Sequence, residues 1–181
     1  QGRAEMDAPS ATEFARPIEL SRLNHGEQRF EIIANAAERA ALAARFGLVD
    51  LDKLAAAVRL GRIAGGLVRL EAELDADITQ TCVVTLEPVK SRIAENFTVL
   101  YGEGSEAREV TLDGEAETIE PIVGGVIDIG EAVAQQLSLV LDPFPHAPGV
   151  AAVQMSADSE AGVESPFKVL AQLRNKNDSK D

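Results

Sequence analysis

The side chains best suited to nucleophilic or metal chemistry are the single cysteine, Cys82, and the two histidines, His25 and His146. A nucleophilic thiol needs a base within hydrogen-bond reach. Both histidines are remote from Cys82 in sequence. A structural zinc site takes about four Cys and His ligands, and this chain has three such residues in all. Cys82 lies in an alternating apolar pattern, where a lone thiol reads as a small buried hydrophobe. His146 sits among prolines and reads as a turn residue. The carboxylates Glu71, Glu73, Asp75 and Asp77 alternate along one stretch, so they share one face of a strand and read as a solvated surface. Gly65-Gly66 and Gly124-Gly125 lack the Lys-Ser/Thr or third glycine of a phosphate loop. The acidic stretch from Glu103 to Glu120 lacks the ligand spacing of a calcium loop. The expectation is a protein without catalytic residues, cofactor, metal or small-molecule substrate.

The elements that hold these residues belong to a chain of 181 residues, enough for one domain with a real core. Its hydrophobic fraction is 45% and its aromatic fraction 4%, with no tryptophan, which makes the core aliphatic. No apolar run reaches the ~18–20 residues of a membrane helix, and residues 1–7 show no secretory apolar stretch. A lone cysteine excludes an internal disulfide. These features together lead us to expect a cytoplasmic protein. The formal net charge is −13, and most of it falls after residue 100. Such acidity disfavours broad, non-specific attraction to nucleic acid.

Taken in order, residues 1–17 read as a flexible polar tail. An edge strand can begin at Pro17, and Arg29–Ala34 reads as a strand with Phe30 and Ile32 on one face. Asn35 caps a helix of strong helix formers that stops at Gly47. Asp50 is placed to cap a second short helix over 51–57, with Leu51 and Leu54 buried. Val58–Ala64 reads as a strand, Gly65-Gly66 as a hairpin turn, and 67–78 as the clearest strand of all. Its residues Val68, Leu70, Ala72, Leu74, Ala76 and Ile78 face inward. The same phase continues through Cys82, Val84 and Leu86. Val89–Leu100 reads as a returning antiparallel strand, and 101–120 as a mobile acidic loop. Asp128 opens a well-marked helix, with Glu131 placed to complete a capping box. Ile129, Ala132, Val133, Gln136, Leu137 and Val140 form its apolar face; Gly130, Glu131, Ala134, Gln135 and Ser138 form its wet face. Asp142-Pro-Phe-Pro ends it. Residues 150–164 read as a linker, and 165–181 as a C-terminal helix with a polar tail. The expected fold is α+β: one domain over 18–149, an antiparallel sheet, partly closed into a barrel, packed against two or three helices.

Three ordered segments resemble one family. Thr81-Cys-Val-Val-Thr-Leu-Glu-Pro-Val89 is similar to its central motif, with Cys82, Leu86 and Pro88 at the matching positions. Ile127-Asp-Ile-Gly-Glu131 through Asp142-Pro-Phe-Pro-His-Ala-Pro-Gly149 resembles its helix and proline-rich exit. Ser165-Pro-Phe-Lys-Val-Leu-Ala-Gln-Leu173 resembles its ending. The family is YceD, the large ribosomal RNA subunit accumulation proteins, and the resemblance spans about residues 18–176. It implies a non-catalytic role in rRNA accumulation and ribosome assembly. Many members carry Cys-x-x-Cys in the central motif; here Thr85 stands at the second position, which argues against metal or redox use of the pair.

The expected partners are a ribosomal protein or an assembly intermediate, a precursor RNA or a processing factor. Candidate partner contacts are Pro143, Phe144, Pro145, His146 and Pro148 at the helix exit, and Phe167, Leu170 and Leu173 near the end of the chain. Direct RNA contact, if made, falls to Arg59, Arg62, Arg69, Lys90 and Arg92 on or beside the strands. The alternative is an acidic chaperone or adaptor for a basic protein; a small hydrolase built on Cys82 or a carboxylate pair is the less favoured reading.

Overall fold

The structure is a computed structural model that describes residues 12–23, 26–104, 108–112 and 115–149. The linker at 150–164 and the segment 165–181, with Phe167, Leu170 and Leu173, lie outside the described residues, as does His25. The fold is α+β. Strand β1 is Pro17–Glu19, β2 is Gln28–Ile33, and helix α1 is Ala36–Phe46. Then come β3 (Asp50–Arg62), β4 (Val68–Thr81), β5 (Pro88–Gly102), β6 (Arg108–Leu112), β7 (Glu115–Pro121), β8 (Val126–Asp128) and helix α2 (Ile129–Val140). Six strands form one sheet in the order β2-β3-β4-β5-β7-β6, and β1 pairs with β8 in a small second sheet. All neighbours are antiparallel except β5 and β7, which run parallel over Leu100–Gly102 and Ile119–Pro121. The main sheet is not a closed barrel: among the described residues its edges β2 and β6 do not pair.

The sheet has one buried face because β4 alternates without a break. Val68, Leu70, Ala72, Leu74, Ala76 and Ile78 are all buried. Arg69, Glu71, Glu73, Asp75 and Asp77 point to the opposite face, as two-residue periodicity requires. β3 adds Leu54, Ala56, Val58 and Leu60 to the buried side, and α2 covers it with Ile129, Val133 and Leu137. Phe30, Ile93 and Phe97 pack on the margin of this core. Each leucine-sized side chain buried here contributes about 1.5–3 kcal/mol.

Four expectations are corrected by this arrangement. Residues 51–57 are not a second helix but the first half of β3. The register slips between Leu51 and Lys53, which turns both Leu51 and Leu54 inward. That three-residue spacing imitates a helix in the bare sequence, and the alanines at 55–57 reinforce the imitation. Second, the stretch 101–120 is not one long loop: β6 and β7 occupy most of it. Third, the polar tail ends earlier than expected. Phe14 is completely buried, and residues 12–16 lie across the start of α2. Fourth, Gly130 and Ala134 are buried rather than wet; Gly130 lies directly against the Phe14 backbone.

The strap over α2 is held by charge. Asp128 caps the helix by accepting from the N–H groups of Gly130 (3.0 Å) and Glu131 (3.1 Å). The same carboxylate accepts from the Arg16 N–H at 2.7 Å and the Thr12 hydroxyl at 3.1 Å. The Arg16 guanidinium grips Glu38 of α1 with two hydrogen bonds, at 2.8 and 3.0 Å. Glu131 does not close the expected capping box; it binds Arg45 of α1 at 2.8 and 2.9 Å. Glu38 itself does complete a capping box with Asn35 on α1.

Two outcomes follow. A Cβ on Gly130 would stand 1.9 Å from the Phe14 carbonyl oxygen, so Gly130→Ala should lower unfolding free energy by about 3 kcal/mol in urea titration. The Arg16 and Arg45 hydrogen bonds hold the Glu38 and Glu131 carboxyls below the usual carboxylate value of 4.5. Their stabilisation is complete above that value and is lost as pH falls through the depressed folded values. The urea midpoint should therefore drop below about pH 4.5, and Arg45→Gln should shrink the difference between neutral and acid midpoints.

Candidate partner-docking site

The end of β4 and the exit of α2 meet in a small clasp around Cys82. After Thr81 the chain stops alternating and turns back through Val83–Thr85 into β5, whose first residue, Pro88, faces Thr81 in register. The turn closes with the Cys82 N–H donating to the Glu87 carbonyl at 2.8 Å and the Leu86 N–H donating to the Cys82 carbonyl at 3.0 Å. Asp142 caps the turn at the helix exit by accepting from the Phe144 N–H at 2.8 Å. Three further bonds join the two turns. The Val83 N–H donates to the Pro145 carbonyl at 2.9 Å. Gln80 Nε2 donates to the Asp142 carbonyl at 2.9 Å, and the Ala147 N–H donates to Cys82 Sγ at 3.3 Å.

Cys82 is fully buried, and its sulfur also accepts from the Thr85 N–H at 3.4 Å. A sulfur that receives several N–H donors is better matched to a thiolate than to a thiol. Hydrogen bonding from the Thr85 side chain, then from the backbone of Thr85, Ala147 and Val84, draws the thiol down to about 6 against the opposing effect of burial. The thiol therefore pins the exit segment to the turn. Among the described residues no three His, Cys, Asp or Glu side chains gather as a metal site.

The clasp turns apolar side chains outward. Leu86 is 75% exposed, Phe144 67%, Val84 50% and Val83 47%. Pro145 is buried, His146 and Ala147 are half-buried, and Pro143 and Pro148 are exposed. The continued strand phase through Val84 and Leu86 is thus corrected: the strand ends at Thr81, and the following apolar residues cap a turn. Leu86 has φ +61°, and among the described residues it is the non-glycine with a positive φ. A left-handed backbone costs a leucine on the order of 1 kcal/mol. The prolines mark the exit as a candidate contact loop, whereas Val83, Val84 and the bond from Ala147 to the thiol are not legible in the sequence. The Cys-x-x-Thr spacing before Pro88 was the available signal for a turn.

The five cations proposed for RNA are split by the sheet. Lys90 pairs with Asp52 at 3.6 Å, and Arg92 holds Asp75 at 3.0 Å, where Lys53 also binds. Arg59 pairs with Glu71 at 3.2 Å, and Arg62 donates to the Leu20 carbonyl at 2.9 Å. Arg69 lies at the same end as Arg59 and Arg62, near the start of β4 and far from the clasp. No helix among the described residues is long and apolar enough to cross a membrane.

The clasp chemistry is measurable. Thiolate absorbance at 240 nm should titrate near pH 6 in the folded protein and near 9 in urea. The stabilisation tied to the thiolate is complete above the higher value and is lost as pH falls through the lower one. Thr85→Val keeps the backbone donor but removes the hydroxyl, so the folded midpoint should rise.

No curated protein matches the chain, and no solved structure does. A family model described as "Large ribosomal RNA subunit accumulation protein YceD" matches residues 70–174. The match covers more than half of the chain, beginning in β4 and taking in both turns of the clasp. All three segments quoted from the sequence for the resemblance fall inside it. The chain, with its thiol-pinned turn and proline-rich helix exit, belongs to the YceD family of large ribosomal RNA subunit accumulation proteins.

Proposed function

We propose that this protein promotes accumulation of large-subunit ribosomal RNA as a non-catalytic binding factor, and that the Cys82 clasp is its docking surface for a ribosomal protein or an assembly intermediate. The observation that carries this reading is Leu86. An apolar side chain is held in solvent on a left-handed backbone, where glycine would relieve the strain and a polar residue would avoid exposing apolar surface. Both costs are local, and among the described residues Leu86 stays 75% exposed. An external partner that buries Leu86 with Phe144, Val83 and Val84 would offset them. Apolar anchors presented on a hydrogen-bonded turn lose little freedom on binding, which favours affinity.

A protein partner suits this surface better than RNA. The four exposed anchors carry no charge, and the net charge of −13 favours approach by a basic protein, as ribosomal proteins commonly are. The cytoplasm, where ribosomes assemble in bacteria, is the corresponding location.

Leu86→Gly separates stability from function. Releasing the left-handed strain should raise unfolding free energy by about 0.5–1 kcal/mol. Combined with Phe144→Ala, the same change should reduce co-purification of large-subunit precursor particles from growing cells at least tenfold. A folded double variant that still recovers these particles at the wild-type level would overturn the docking role.

A further inference from the structure

The opposite end of the sheet concentrates positive charge on an acidic protein. On the solvent face, Arg29 of β2 stands directly opposite Arg59 of β3. One step further along, Gly61 of β3 stands opposite Arg69 of β4. Arg62, the last residue of β3, lies at the same end of the sheet, but its register partner is the buried Val68 and its guanidinium donates to the Leu20 carbonyl at 2.9 Å. Like charges placed directly across a sheet repel, so this is an unfavourable pairing for the fold.

The local carboxylates compensate only part of it. Glu71 meets Arg59 at 3.2 Å, and Glu27 meets Arg29 at 3.5 Å in a pair whose arginine is 78% exposed. Arg69 has no ion-pair partner among the described residues, and its side chain is exposed. The other end of the same face shows the contrast. There Lys53 and Arg92 converge on one carboxylate, Asp75, and Lys90 reaches Asp52.

A side chain at Gly61 would touch the Glu27 backbone, and the recess of about 160 Å³ beside it is lined by Arg59, Arg62 and Arg69 together with Glu27, Glu71 and Ile63. From strand spacing and rise, the Arg59 and Arg69 backbones are about 8 Å apart. Their planar forks can therefore engage neighbouring anionic groups on one polymer, and the guanidinium fork matches the oxygens of a phosphate.

We propose that Arg29, Arg59 and Arg69 bind the phosphate backbone of an RNA strand, at a site separate from the clasp. No aromatic side chain lines the recess, so the contact reads backbone charge and not base identity. The acidity of the rest of the protein confines the contact to this corner. In a family tied to ribosomal RNA accumulation, the corner supplies a direct hold on RNA, while the clasp engages protein.

The test uses the full chain and a fluorescein-labelled uridine 20-mer RNA, followed by anisotropy between 25 and 150 mM salt. Arg59→Gln with Arg69→Gln should weaken binding at least tenfold at 50 mM salt. It should also lower the salt slope by about 1.4, two contacts at ~0.7 each on a single strand. Lys90→Gln with Arg92→Gln changes the charge by the same amount at the other end and should stay within twofold of wild type. Thermal unfolding of both variants confirms that they are folded. Equal weakening by both pairs would show diffuse charge attraction and overturn the site, as would a wild-type chain that does not bind the RNA. Displacement of the RNA by polyglutamate of equal length and concentration, as effective as by unlabelled RNA, would overturn the phosphate assignment. Leu86→Gly with Phe144→Ala should leave RNA affinity unchanged, so failure of this site and failure of the clasp are told apart.

Discussion

The fold depends on the pairing of β4 with a neighbour on each side. It faces β5 along all 14 of its residues and β3 along nearly as many. Because side chains alternate, this single register decides which face of three strands is apolar. A slip by one residue would send Leu70, Leu74 and Ile78 into water and draw Glu71, Glu73 and Asp75 under α2. The penalty for burying those carboxylates far exceeds any gain from alternative pairing. The same register puts four arginines at one end of the sheet and delivers Cys82 to the other.

The surface of the sheet is organised by charge more than by shape. Asp75 serves both Lys53 and Arg92, and these hydrogen bonds hold its carboxyl below the usual value. Exposed pairs of this kind are screened by solvent and add little to stability. Two features of the surface stand out: the arginine corner, where Arg69 has no ion-pair partner among the described residues, and the exposed apolar side chains Val83, Val84, Leu86 and Phe144 of the clasp. Both lie at turns, where the chain can vary without disturbing the core.

Much of this was legible in the sequence, and the physical reasons differ by element. β4 was read almost to the residue because charged and apolar residues alternate over its whole length. α1 and α2 were read from their caps, Asn35 with Gly47 and Asp128 with Pro143. β3 was half missed because a register slip beside Asp52 imposed helical spacing on Leu51 and Leu54. β6 and β7 were missed because glutamates recur through the stretch and Gly102, Gly104 and Gly114 border the strands, and β7 meets β5 through only three residue pairs. The exit at 143–148 stands out in the sequence by its prolines. Its union with Cys82 could not be read, since the bond from Ala147 to the sulfur spans 65 residues. The segment 12–16 was taken for a tail because its one large apolar residue, Phe14, has no periodic neighbour.

That strap sets an order of events for a newly made chain. The N-cap of α2 is shared with Thr12 and Arg16, 116 and 112 residues earlier. Gly130 lets the two stretches touch at backbone distance. The contact cannot form until α2 has left the ribosome, so most of the domain must be synthesised before its first turn is fastened. Closure between segments so far apart in sequence is slow compared with local folding. Until then Phe14 and the covered side of α2 stay exposed, and a nascent chain in that state invites aggregation or proteolysis. The N-terminal segment is thus fastened only after residues 128–131 have been made, more than a hundred residues behind it.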